Sequence, residues 1–117
     1  MHRCREDLRE ALTSLDPDPI IVGYLALARA LIDDRRLQAA ACELETGIAT
    51  LSHASPAALW RLDLSLAAVR DGLADPIGAR RATLEAHAHA VSANNQLGRS
   101  RARALLRRLD AARARSR

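Results

Sequence analysis

Each of the four prolines in this chain follows an aspartate or a serine, in Asp16-Pro17, Asp18-Pro19, Ser55-Pro56 and Asp75-Pro76. Asp16-Pro17-Asp18-Pro19 stops one helix and starts the next near Pro19 with Asp18 as its cap, while Ser55-Pro56 and Asp75-Pro76 mark later helix beginnings. The Asp or Ser side chain can accept from an orphan N–H of the first turn, and proline, lacking an N–H, suits the first helical position. The same prolines end whatever helix precedes them, because the residue before proline is pushed out of the helical region. The punctuation therefore cuts the chain into segments of helical length.

Apolar spacing within the segments agrees with that division. Leu8, Ala11, Leu12 and Leu15 give the stretch from Arg3 to Leu15 one apolar face, the mark of an amphipathic helix. From Ile20 to Ile32 apolar residues nearly encircle the axis, as in a helix buried on most sides. After the polar break Asp33-Asp34-Arg35-Arg36, a further face is drawn by Leu37, Ala40, Ala41, Leu44, Ile48 and Leu51. Two helices joined this tightly predict an αα-hairpin. A third helix is expected from Ala57 to about Ala74, burying Leu59, Leu62, Leu66, Val69 and Leu73, and a fourth from Pro76 onward.

Phenylalanine is absent and Tyr24 and Trp60 are the only aromatic residues. The core must then be filled by Leu, Ala, Val and Ile, and alanine and leucine are the residues that enter helices at least entropic cost. The fold class read from this is all-α, with no strands. At Asn94-Asn95-Gln96-Leu97-Gly98, mediocre helix formers without a proline, the helix either stops or runs through; the alternate four- and three-residue steps of Leu84, Ala88, Val91, Asn95, Gly98, Ala102, Leu105, Leu109 and Ala112 favour one continuous seam. Residues 1–95 are accordingly read as a helical-hairpin domain, and 96–117 as an Arg-rich helix continuous with the one before it.

Internal periodicity sharpens the reading. Tyr24, Leu27, Ala28 and Leu31, followed by Leu37, Ala40, Leu44 and Gly47, place large and small residues as a tetratricopeptide repeat does, and this hairpin resembles that family. Small residues let the two backbones approach while large ones fill the grooves beside them. In the second hairpin Asp75-Pro76-Ile77-Gly78-Ala79 is similar to the turn and second helix of such a repeat, with Ala79 standing 39 residues after Ala40. That spacing exceeds the usual length of about 34 residues, and Asp63 then falls at a core position. Repeats of this longer kind, ending in an Arg-rich helix, are similar to the sensor arrays of bacterial signalling proteins, including some diguanylate cyclases.

The resemblance covers residues 19 to 95 and implies a right-handed superhelical array that recognises proteins on a groove lined by first helices. Tyr24, Arg61 and Ser65 are the residues it nominates for partner contact. A pair of repeats has open ends, which the flanking helices, a second copy or another protein can cover.

Net charge is +4, but residues 96–117 hold eight arginines against Asp110 alone, while residues 1–95 hold ten arginines against thirteen acids. Arg99, Arg103, Arg107 and Arg108 form the candidate basic patch. It suits phosphates or an acidic protein face, so a nucleic-acid-binding role is the alternative reading. Neither stacking aromatics nor a helix-turn-helix signature accompanies it. Leu105 and Leu109 are candidate contacts for a homodimer seam with Asn95 setting register; folded back, the same leucines complete the monomer core.

Little in the chain suggests chemistry. His87 and His89 are two residues apart, about 200° around a helix, and cannot share one ion; both are expected at the solvated rim. His2 and His53 stand alone. Cys4 and Cys42 have no ligand or redox spacing and are read as free buried thiols. No glycine-rich elbow or phosphate loop accompanies the serines. A charged N-terminus and the lack of a membrane-length apolar run make the cytoplasm the default location. The expectation is a non-catalytic module, without cofactor or metal, that acts as an adaptor, chaperone or regulatory sensor for a protein or peptide.

Overall fold

The computed structural model describes residues 17–52 and 58–115, which form five α-helices and no strand. They are α1 (Pro17–Asp33), α2 (Leu37–Leu51), α3 (Trp60–Gly72), α4 (Pro76–Ser92) and α5 (Gln96–Arg115); α1 begins at Pro17, two residues before the expected start at Pro19, since proline is tolerated throughout a first turn whose N–H groups have no helical acceptor. The helix expected over residues 3–15, the Ser55-Pro56 cap, His2, Cys4 and His53 lie outside the described residues. Each helix packs on the next, and α3 also touches α1 and α5. The result is a slab of 47 × 34 × 18 Å, about two helix diameters thick.

Three of the connections share one backbone solution. Arg35, Ala74 and Asn94 carry positive φ values of 59°, 60° and 52°. The next N–H in each case reaches back five residues: Arg36 donates to the Leu31 carbonyl, Asp75 to Arg70 and Asn95 to Ala90. A left-handed residue with this bond is the Schellman ending, which satisfies orphan carbonyls and reverses the chain within three residues. The new helix starts at once. The Asp75 carboxylate accepts from the Gly78 N–H at 3.0 Å with Pro76 behind it, and the Asn95 side chain accepts from the Gly98 N–H at 2.8 Å.

The last of these turns corrects the expectation of a continuous helix through Asn94–Gly98. Asparagine tolerates the left-handed region and also caps helices well, so Asn94-Asn95 stops one helix and starts the next. The predicted seam is divided by it. Gly98, Ala102 and Leu105 turn inward, whereas Leu84 and Val91 are exposed on α4.

The core is aliphatic, as the composition requires. Ile21, Leu27 and Leu31 of α1 meet Leu44 and Leu51 of α2, Leu62 and Leu66 of α3, and Leu105 of α5. Gly47 brings α2 close to α1: a Cβ there would stand 2.8 Å from Tyr24 Cγ. A smaller cluster gathers Trp60 with Ala86, Ala90 and Ala102. Cys42 is exposed, correcting its expected burial; Ala40, Ala41, Leu44 and Gly47 take the inward face of α2 and leave it outside. Among the described residues no helix is long and apolar enough to cross a membrane.

Candidate functional site

Two features stand out from this packing. The first is a polar pair joining α3 to α4. Asp63, 3% exposed, sits in the first turn of α3 among leucines, and its Oδ2 lies 2.6 Å from His89 Nδ1. Burial pushes the carboxyl up from 3.8 to about 6; the His89 hydrogen bond and charge oppose that rise, and Glu85 adds to it. A cavity of about 340 Å³ opens beside the pair, with Ile48, Leu66 and Ala82 among its walls and Glu85 and Arg81 among its charged groups.

Arg70 ties the three helices around this cavity. It donates to the Gly78 carbonyl of α4 at 3.2 Å and pairs with Glu45 of α2 at 3.1 Å. Among the described residues no serine, threonine or cysteine lines the cavity. Among the described residues no group of three His, Cys, Asp or Glu could hold a metal ion.

Sequence reasoning placed Asp63 at a core position but put His89 on a solvated rim. The missing signal was the meeting of the two helices across 26 residues. His87 is half-buried and enters no such pair among the described contacts.

The second feature is α4 itself, whose faces are inverted in size. Ala79, Ala82, Ala86 and Ala90 point inward and are buried. The large apolar residues point out: Ile77 is 74%, Leu84 44% and Val91 49% exposed, with Ala88 exposed between them. Alanines on the inward face allow α3 and α5 to approach closely, which is what leaves the bulk outside. Beside Ile77 and Leu84 a cleft of about 880 Å³ opens toward Leu109 and Ala112 of α5. Arg80 of α4 pairs with Asp110 of α5 at 3.2 Å along its wall.

The residues nominated from the sequence fall into three groups. Tyr24 is buried against Gly47 and offers a partner no surface, a correction to its nomination, because the close α1–α2 approach uses its ring as filling. Leu105 is buried and Leu109 half-buried against the same core, so the fold-back packs Leu105 within the chain. Arg61 is exposed and Ser65 half-buried on α3. Arg103, Arg107 and Arg108 are exposed on α5, while Arg99 is half-buried with an Nε that has no hydrogen-bond partner. The exposed stripe Ile77, Leu84 and Val91 was legible as apolar spacing but not as surface. No family model matches the chain, and no curated protein or solved structure matches it.

Proposed function

We propose that this chain is a non-catalytic protein-interaction module, a cytoplasmic adaptor, chaperone or regulatory sensor of tetratricopeptide-like build. The observation that carries the reading is the outward face of α4, where Ile77, Leu84, Ala88 and Val91 form a line of exposed apolar residues on a helix already packed on its other side. Exposed apolar surface beside a charged rim is the mark of an interaction site. The repeat character is supported by the matching turns at Arg35 and Ala74, 39 residues apart, and by the Tyr24–Gly47 contact at the paired large and small positions.

Selection of displayed random peptides against the folded chain tests this. Peptides that hold the native chain, lose Leu84→Asp and keep Arg61→Asp support docking on α4. Peptides that lose Arg61→Asp alone would move the site to the face lined by first helices. Recovery of none defeats the reading.

A nucleic-acid role rests on a different observation, the exposure of Arg103, Arg107 and Arg108 on one helix. It requires affinity for a duplex oligonucleotide that falls steeply as salt rises and that Arg103→Glu removes.

A further inference from the structure

The outward face of α4 is not an isolated apolar strip, because α5 lines it with charge. Arg80 lies opposite Asp110, and Gly98 lies opposite Ala90, whose Cβ would be 2.9 Å from a Cβ at Gly98. These two contacts fix the antiparallel register of α4 and α5. Counting from the Arg80–Asp110 pair, Arg99 is then level with Val91, Arg103 with His87, and Arg107 with Thr83, one residue before Leu84. The same three arginines share a helical row with Asp110, at steps of four, four and three. Asp110 reaches Arg80, so the row lies on the α4 side of α5 at that end and runs level with the stripe from Val91 to Leu84. Among the described residues none of Arg99, Arg103 and Arg107 enters an ion pair.

The stripe has the geometry of a helix seam. Ile77, Leu84 and Val91 stand seven residues apart with Ala88 splitting the second interval into four and three, the spacing that packs against another helix at a shallow angle. From Ile77 to Val91 it extends about 21 Å, four turns of helix. The structure thus carries an apolar seam for one helix and, on the neighbouring helix, three guanidinium groups without an ion-pair partner among the described residues.

We infer that the surface formed by α4 and α5 docks an acidic amphipathic helix of about four turns, its apolar face on Leu84 and Val91 and a row of carboxylates facing Arg99, Arg103 and Arg107. This deepens the interaction-module reading and rests on it. A second copy of the chain is the poorer occupant, since pairing α4 antiparallel on α4 about a twofold axis would bring its own arginine row against this one, and like charges placed across an interface oppose association. A nucleic acid would engage the arginines without needing Leu84 or Val91.

The test uses three synthetic helical peptides that share one leucine seam and differ in the flanking row, which is Glu, Gln or Arg, titrated against the full chain by fluorescence anisotropy. The Glu peptide is expected to bind about tenfold tighter than the Gln peptide at low salt, the gain expected of three exposed ion pairs. That advantage should vanish near molar salt, where charges at the surface are screened. Arg103→Glu with Arg107→Glu should transfer the preference to the Arg peptide. Leu84→Asp and, separately, Val91→Asp should weaken all three while leaving the thermal melt of the chain in place.

If Glu and Gln peptides bind alike and both need Leu84, the acidic partner is refuted and the docking face stands. If no peptide binds and the chain is a dimer that Leu84→Asp dissociates, the occupant is a second copy and the inference falls. If no peptide binds, the chain is monomeric and Leu84→Asp changes nothing, the docking face falls as well. A duplex oligonucleotide that binds equally to the native chain and Leu84→Asp, with no peptide bound, would overturn it in favour of a nucleic acid.

Discussion

The indole of Trp60 on α3 lies against the backbone of Gly98 on α5, so that a Cβ at Gly98 would stand 2.8 Å from Trp60 Cδ2. Ala90 of α4 crowds the same point from the other side, at 2.9 Å. Neither neighbour is the free end of a flexible side chain. Gly98→Ala is therefore expected to push α5 away and cost about 1–3 kcal/mol in spite of alanine's better helix propensity. Denaturant unfolding measures this. A double-mutant cycle with Trp60→Leu should recover part of the loss, because the two residues share one space; a stabilised Gly98→Ala would contradict the approach.

The Asp63–His89 pair makes stability depend on pH with a definite sign. The folded chain holds the Asp63 proton up to about 6, against 3.8 for the ordinary carboxyl. The stability this group contributes is fully present below 3.8 and is lost as pH rises through about 6, on the order of 3 kcal/mol. Asp63→Asn removes the titration, so the variant should gain on the native chain as pH rises across that window. Equal slopes in urea unfolding from pH 4 to pH 7 would show that Asp63 is not desolvated.

Removing the partner isolates the other half of the pair. His89→Ala leaves a buried carboxyl without its hydrogen bond, and the expected loss at neutral pH is about 3 kcal/mol, the lower end for a broken buried pair because His89 is partly solvated. His89→Gln, which can still donate to Asp63, should lose less.

Ala74 is the one residue of the three left-handed turn positions that has neither a long side chain nor a capping group, and it holds φ at 60°. The left-handed region costs a residue bearing a Cβ about 1–2 kcal/mol, and glycine escapes most of that. Ala74→Gly is expected to stabilise the chain by about 1 kcal/mol, read as a melting temperature raised by a few degrees. A fall would mean that the α3–α4 turn relaxes once the Cβ is gone.

The inverted faces of α4 can be checked by stability alone. Leu84→Ser and Val91→Ser should shift unfolding by no more than about 0.5 kcal/mol, as exposed sites do, whereas Leu105→Ala in α5 should cost about 2–4 kcal/mol. Comparable losses at Leu84 and Leu105 would place the α4 stripe in the core.

Much of the architecture can be read in local signals. Asp75-Pro76 announces its helix, and the side chain caps it in the expected way; Ala40, Leu44 and Gly47 mark the inward face of α2, and all three are buried. Where reading failed, two principles competed. The four-and-three spacing from Leu84 to Ala112 outweighed the turn chemistry of Asn94-Asn95 in the sequence, yet in the fold the left-handed asparagine and its capping neighbour prevailed. Tyr24 looked like a groove residue because large residues serve both as filling and as contact surface.

The sequence by itself determined an all-helical chain, the places where most of its helices begin, and an aliphatic core, because capping, proline geometry and apolar periodicity act within a few residues of one another. Only the tertiary structure decided that Asp63 meets His89, that Leu105 faces inward while Leu84 faces out, and that Arg80 of α4 pairs with Asp110 of α5. Those outcomes depend on the direction the chain takes after Asn94 and on how closely the alanines of α4 let its neighbours approach. Both are properties of packed helices and not of any single segment.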